Sequence, residues 1–149
     1  MQVHDQAAQR ALDGLLLDGY VRQPHITLAL CGFPASGPVR AEDEFDDGLI
    51  AAQLAALQAT APAAFELGIG GLESFSSAPF LSVHDSTAAL ATLRRCLRAE
   101  GQHPQGGYVP HVTVGLYAEA WPTAEVAQRF QALDDFAHLP CRITRLSLM

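Results

Sequence analysis

One five-residue pattern occurs twice in this chain. Pro24-His25-Ile26-Thr27-Leu28 and Pro110-His111-Val112-Thr113-Val114 agree in register at proline, histidine, a β-branched residue, threonine and an apolar residue, and the two histidines stand 86 positions apart. With six histidines and seven threonines in the chain, a single His-x-Thr is unremarkable; two copies that also agree at their flanks are rare by chance. In an extended strand successive side chains point to opposite faces. His25 and Thr27 therefore share one face and Ile26 and Leu28 the other, and His111 and Thr113 separate from Val112 and Val114 in the same way. The apolar pairs can anchor in a core. An imidazole and a hydroxyl are left together on the opposite side, twice over, which implies one cavity lined by two halves.

The surrounding pattern predicts an α+β protein in which residues 1–149 form a single domain. A chain of 149 residues buries roughly 70% of the surface it exposes when unfolded, enough for a core without staples. Its hydrophobic fraction of 49% and mean hydropathy of +0.12 are globular values. Helical spacing runs from Asp5 to Leu17, with Gly19 as the stop, and Pro24 introduces a strand over His25 to Cys31. A Pro-, Gly- and acid-rich loop from Gly32 to Asp47 leads into a helix that starts at Asp46-Asp47 and ends before Pro62. Strands follow over Phe65 to Leu72 and Phe80 to His84. A third helix, capped by Asp85 or Ser86 and ended by Gly101, sets Leu90, Leu93 and Leu97 on one face and Arg94, Arg95 and Arg98 on a solvated one. After a loop from Gln102 to Val109 come a strand over Pro110 to Tyr117, a helix from Pro122 to about Asp134, and a last strand over Arg142 to Leu148.

Charge and composition remove whole classes of function. All nine basic residues are arginine, so lysine Schiff-base chemistry and a P-loop lysine are excluded. A net charge of −7 and a pI near 5.2 do not suit a grip on a long phosphate backbone, so a polyanionic partner must be small or held by local donors. Cys31, Cys96 and Cys141 are widely spaced with no C-x-x-C pair, as expected of buried thiols in a reducing cytosol. No apolar run approaches the ~18 residues of a membrane span, and Met1 to Asp5 carries no leader-like stretch. A cytoplasmic location with no membrane partner is the expectation.

Two imidazoles and two hydroxyls suit phosphoryl chemistry. Opening a 2′,3′-cyclic phosphodiester needs a base for the attacking water and an acid for the departing ribose oxygen, and histidine titrates close enough to neutrality to serve as either. In-line displacement puts the two on opposite sides of phosphorus, which one histidine per half can satisfy. The threonine hydroxyls can donate to the non-bridging oxygens. Such a site calls for no metal and no cofactor. Zinc wants three or four protein ligands, and the spacing supplies no third.

At this point the chain resembles the two-histidine (2H) phosphoesterase superfamily, which includes the 2′-5′ RNA ligase-like proteins and cyclic phosphodiesterases and whose signature is a pair of His-x-Thr/Ser motifs with apolar flanks. Further likeness lies in Phe65 to Leu72, in Phe75, in the strand beginning at Phe80, and in Tyr108-Val109-Pro110 leading into His111. The resemblance runs from about Tyr20 to Leu148. It implies a bilobal fold: two antiparallel sheets with pseudo-twofold symmetry, helices outside, and the motifs lining a central cleft. It also implies metal-independent chemistry on cyclic phosphates or 2′-5′ linkages of small nucleotides or RNA ends. His25 and His111 would be the catalytic pair, and Thr27 and Thr113 the phosphate ligands.

Members usually have a strand before the first helix and another after the last, so this chain is expected to lack a sheet edge or to borrow one, with its oligomeric state open. Many members carry a cation just after the second motif; Gly115-Leu116-Tyr117 here favours a smaller substrate. Arg22, Tyr108 and Tyr117 are candidate substrate contacts. Phe75, Phe80, Tyr108, Tyr117 and Trp121 could include a base-stacking platform, although core packing is the default for each. Hydrolysis of a cyclic phosphate is the leading expectation; 2′-5′ ligation, or nucleotide binding without turnover, are the alternatives.

Overall fold

The computed structural model describes residues 2–40, 43–98, 107–131 and 138–149. Their elements are α1 (Gln2–Ala11), β1 (Phe33–Pro34), β2 (Glu44–Phe45), α2 (Asp47–Thr60), β3 (Phe65–Ser74), β4 (Pro79–His84), α3 (Ala89–Cys96), β5 (His111–Thr113), α4 (Thr123–Gln131) and β6 (Leu139–Ile143). The chain is α+β, and it divides into two compact units: Met1–Ile26 with Glu66–Ser86 and Val109–Ile143, and Thr27–Phe65 with Thr87–Tyr108 and Thr144–Met149. No helix among the described residues is long and apolar enough to cross a membrane.

The first unit is built on a sheet of order β5-β4-β3-β6, in which β4 runs antiparallel to both β3 and β5. Between Ile69 and Leu72 the β3–β4 register slips, and Gly71 there has φ +77. A Cβ at Gly71 would lie 2.9 Å from the Ser82 hydroxyl, so position and conformation both demand glycine. Leu67, Ile69, Leu81, Val112 and Val114 are buried, as are Ala8, Leu12 and Leu15 of α1 and the turn after it. Helix α1 stops at Ala11, earlier than the expected Leu17, and left-handed Gly14 turns the chain long before Gly19. Leu15, Leu16 and Leu17 then run beside the segment after β5: Leu17 N donates to Leu116 O, Ala118 N and the Trp121 indole donate to Leu15 O, and Leu16 bridges to Tyr117.

In the second unit α2 packs on α3. Asp46 caps α2 as its position predicts, accepting from Leu49 N at 3.0 Å. The Gln53 amide donates to Leu97 O, satisfying a carbonyl at the end of α3. Capping of α3 by Asp85 or Ser86 is overturned: the helix begins at Ala89, so the cap position falls to left-handed Ala88, which offers no side-chain acceptor. Its stop at Gly101 lies outside the described residues.

Two strands differ from expectation. Among the described residues the segment His25 to Cys31 belongs to no ladder, and the second sheet there is a two-residue parallel pair, β1 with β2, where a second antiparallel sheet is expected. The last strand lies at Leu139–Ile143, upstream of its expected place. Cys31, Cys96 and Cys141 are free and half-buried.

Candidate active site

The second motif occupies β5, where the ladder decides which way its side chains point. His111 lies opposite Ser82, Val112 opposite Leu81 and Thr113 opposite Phe80. Residues directly opposite share a face, so His111, Thr113, Ser82 and Phe80 form one surface while fully buried Val112 and Leu81 form the other. The alternation read from the sequence is met here. Past Thr113 the backbone still follows the hairpin, with Val114 N donating to Pro79 O and Tyr117 N to Ser77 O.

The first motif is held differently. Its backbone is not in a strand, and two side chains bind its carbonyls: the Tyr108 hydroxyl donates to Thr27 O at 2.8 Å, and the Arg94 guanidinium donates to Leu28 O. The guanidinium also stacks on the Tyr108 ring, 4.0 Å from its centroid, a cation–π contact that strengthens as water is excluded. Burial pushes the Tyr108 phenol above its ordinary 10, with the Arg94 charge pulling it back less. The neutral, donating form is therefore the one that binds Thr27.

Arg94 corrects the sequence reading. A solvated helical face is the expectation for it, yet it is only 5% exposed, alongside Leu90 and Leu93. A signal is present: Arg94 lies four residues after Leu90 and one after Leu93, inside the apolar stripe, whereas Arg95 lies outside it and Arg98, at the next equivalent position, falls beyond the end of α3 and is exposed.

Despite these different settings, the two histidines are tethered alike. His25 Nδ1 lies 2.7 Å from Gln23 O and His111 Nδ1 lies 2.8 Å from Val109 O, in each case the carbonyl two residues upstream. A carbonyl only accepts, so Nδ1 carries the proton on both rings, and Nε2 is the nitrogen left to exchange protons. Both histidines belong to the first unit, and no direct hydrogen bond or ring contact joins them among the described residues.

A match to the family model described as the 2′-5′ RNA ligase superfamily extends over residues 5–149, nearly the whole chain. The chain belongs to that superfamily. No curated protein and no solved structure matches it. Membership supports a 2H phosphoesterase- or ligase-type activity, on a phosphodiester or a cyclic phosphate.

Against that superfamily background the remaining candidates are placed as follows. Arg22 is exposed. Tyr108 spends its hydroxyl on Thr27 and a ring face on Arg94. Tyr117 bonds Ser74 Oγ at 2.8 Å; since Ser74 donates its own proton to Phe75 O, Tyr117 is the donor. Gly115 lies against Leu16, whose Cδ1 would be 3.0 Å from an added Cβ, so a cationic side chain at this position would have to displace it. Phe75 and Phe80, for which core packing is the default expectation, both contact the His111 ring, with centroids 5.0 and 5.4 Å away. Among the described residues no three His, Cys, Asp or Glu side chains group so as to hold a metal ion.

Proposed function

We infer that this protein is a metal-independent phosphodiesterase that opens the 2′,3′-cyclic phosphate of a nucleotide or short RNA end. His25 and His111 act as general base and acid, and Thr27 and Thr113 as donors to the non-bridging oxygens. The observation that carries the reading is the matched tether, Nδ1 on an upstream carbonyl in both motifs, which leaves the same nitrogen of each ring for proton transfer. In the reaction, Nε2 of one neutral imidazole takes the proton of a water as its oxygen forms a bond to phosphorus. The opposite P–O bond breaks, and Nε2–H of the other, protonated ring supplies the proton to the departing ribose oxygen. The threonine hydroxyls hold charge on the remaining oxygens. With a ribose hydroxyl replacing water, the same steps make a 2′-5′ linkage. The pI near 5.2 and the Gly115-Leu116-Tyr117 sequence after the second motif favour a small substrate over a long strand.

Incubation with the four 2′,3′-cyclic nucleotides in EDTA, followed by phosphorus NMR, tests this. A nucleoside monophosphate product is expected, and His25→Ala and His111→Ala should each lower its rate by about 10²–10⁴-fold while retaining the wild-type melting transition. Turnover that survives either substitution, or no turnover at all, overturns the reading.

A further inference from the structure

We propose that His84 and His138 bind a divalent transition-metal ion of the zinc, copper and nickel class, at a site outside the two His-x-Thr motifs. Gly68 of β3 pairs with His84 of β4, and His138 leads into β6, the neighbour of β3 on its other side. The two rings therefore flank one glycine, with centroids 6.5 Å apart and planes at 66°. A Cβ added to Gly68 would meet His138 Nδ1 and His84 Cβ, each at 3.6 Å, so both side chains rise on the side of the sheet to which Gly68 turns. Buried Leu67 and Ile69 stand on either side of Gly68 in β3, and strand alternation turns Gly68 away from the core. This is also the surface that carries His111: His84 follows Ser82 by two residues, and Ser82 lies opposite His111.

The backbone does not demand glycine at position 68. Its φ is not left-handed and 3.6 Å is an ordinary contact, so alanine would fit. What glycine does here is keep side-chain bulk from between two imidazoles. The rings are also uncommitted. His25 and His111 each spend Nδ1 on a carbonyl, whereas neither ring of this exposed pair has a hydrogen-bond partner among the described residues, and His138 holds Nδ1 over Gly68. Facing imidazoles can take a cation on their lone pairs or an anion on their N–H groups, and charge decides between them. Glu66, two residues before Gly68 on the same face, and Asp85, next to His84, set two negative charges against Arg142 of β6, in a chain of net charge −7. Imidazole suits zinc, copper and nickel, whereas magnesium and calcium take oxygen ligands. At metal–nitrogen distances of about 2.0–2.1 Å, a shared ion holds the ring centroids at about 5–6 Å. The rings must close by roughly one ångström, which rotation of exposed side chains supplies. Two protein ligands are fewer than a structural or catalytic zinc takes, so water fills the remaining positions and the ion exchanges freely.

The test titrates Zn²⁺ into the intact chain and follows the imidazole nitrogens by NMR. The ring signals of His84 and His138 should move together, return on addition of EDTA, and stay in place with Mg²⁺ at the same concentration. His84→Gln and His138→Gln, both on the surface, should keep the wild-type melting transition and each weaken Zn²⁺ binding by at least about tenfold, the loss that even an outer partner of a metal ligand causes. Gly68→Leu retains both imidazoles, fills the space between them and should weaken binding as much. Zn²⁺ that moves His25 and His111 and not this pair, binding that survives any of the three substitutions, or a pair that responds to inorganic phosphate and not to Zn²⁺ overturns the proposal. None of these measurements needs turnover, so the site stands or falls separately from the phosphodiesterase reading.

Discussion

The two His-x-Thr segments are nearly identical in sequence and are held by different physics. Around His111 the backbone is locked into a ladder, with Val112 and Leu81 buried beneath it, so the side chains are aimed by a pleat. Around His25 no strand pairs with the chain among the described residues, and the carbonyls of Thr27 and Leu28 are held by Tyr108 and Arg94, 81 and 66 residues away in sequence. A ladder distributes its work over many backbone groups that no substitution removes. A two-side-chain clamp concentrates it where single mutations reach. The first motif should therefore be the one whose geometry, and activity, can be spoiled without unfolding the protein.

Four substitutions sharpen or break that contrast, taken in order of their cost to stability. Leu81→Ala, beneath the ladder, should cost about 3 kcal/mol in denaturant unfolding yet leave kcat per folded molecule within a few-fold of wild type. Arg94→Met should cost about 2 kcal/mol by stranding the Leu28 carbonyl, and should lower kcat on a cyclic nucleotide by roughly 10²-fold as the first motif drifts. If Leu81→Ala proves the more damaging to turnover per folded molecule, the contrast is wrong.

Tyr108→Phe keeps the ring under Arg94 and removes only the bond to Thr27, for about 1 kcal/mol and a smaller fall in rate. Its pH dependence has a definite sign. Burial raises the phenol, so the neutral form favours folding; that contribution is whole below the ordinary 10 and is lost as pH rises through the folded value. The stability gap between wild type and Tyr108→Phe should thus shrink in strong alkali. The smallest effect belongs to Asp5, in the helix of the ladder-bearing unit. Burial raises its carboxyl above the ordinary 3.8, with the N-terminal charge lowering it less. Its stabilising contribution is whole below 3.8 and lost as pH rises through the folded value. Asp5→Asn should accordingly raise the melting temperature slightly at neutral pH and change nothing well below pH 3.8.

Much of the site was legible because strand alternation and helix capping are local rules. The period of two at His111-Val112-Thr113 survived folding because the ladder imposes the same period. Asp46 could be read as a cap because its partner, Leu49 N, is three residues away. Asp85 and Ser86 misled because equally good capping residues stood just upstream of where packing began the helix. The first motif looked like a strand by the same local rule; a strand, however, exists only where a neighbour supplies hydrogen bonds, and composition does not report neighbours.

From the residues alone came the α+β class, the paired histidines and threonines, the exclusion of lysine chemistry and the likeness to a superfamily that the family match then established. Each of these depends on residue identity or on spacing along the chain. Tertiary structure alone decided that Arg94 is buried and holds a carbonyl, that Tyr117 braces a hairpin, and that an aromatic pair flanks His111. Those contacts join residues tens of positions apart, and their free energy comes from excluding water between surfaces that meet only once the chain has folded.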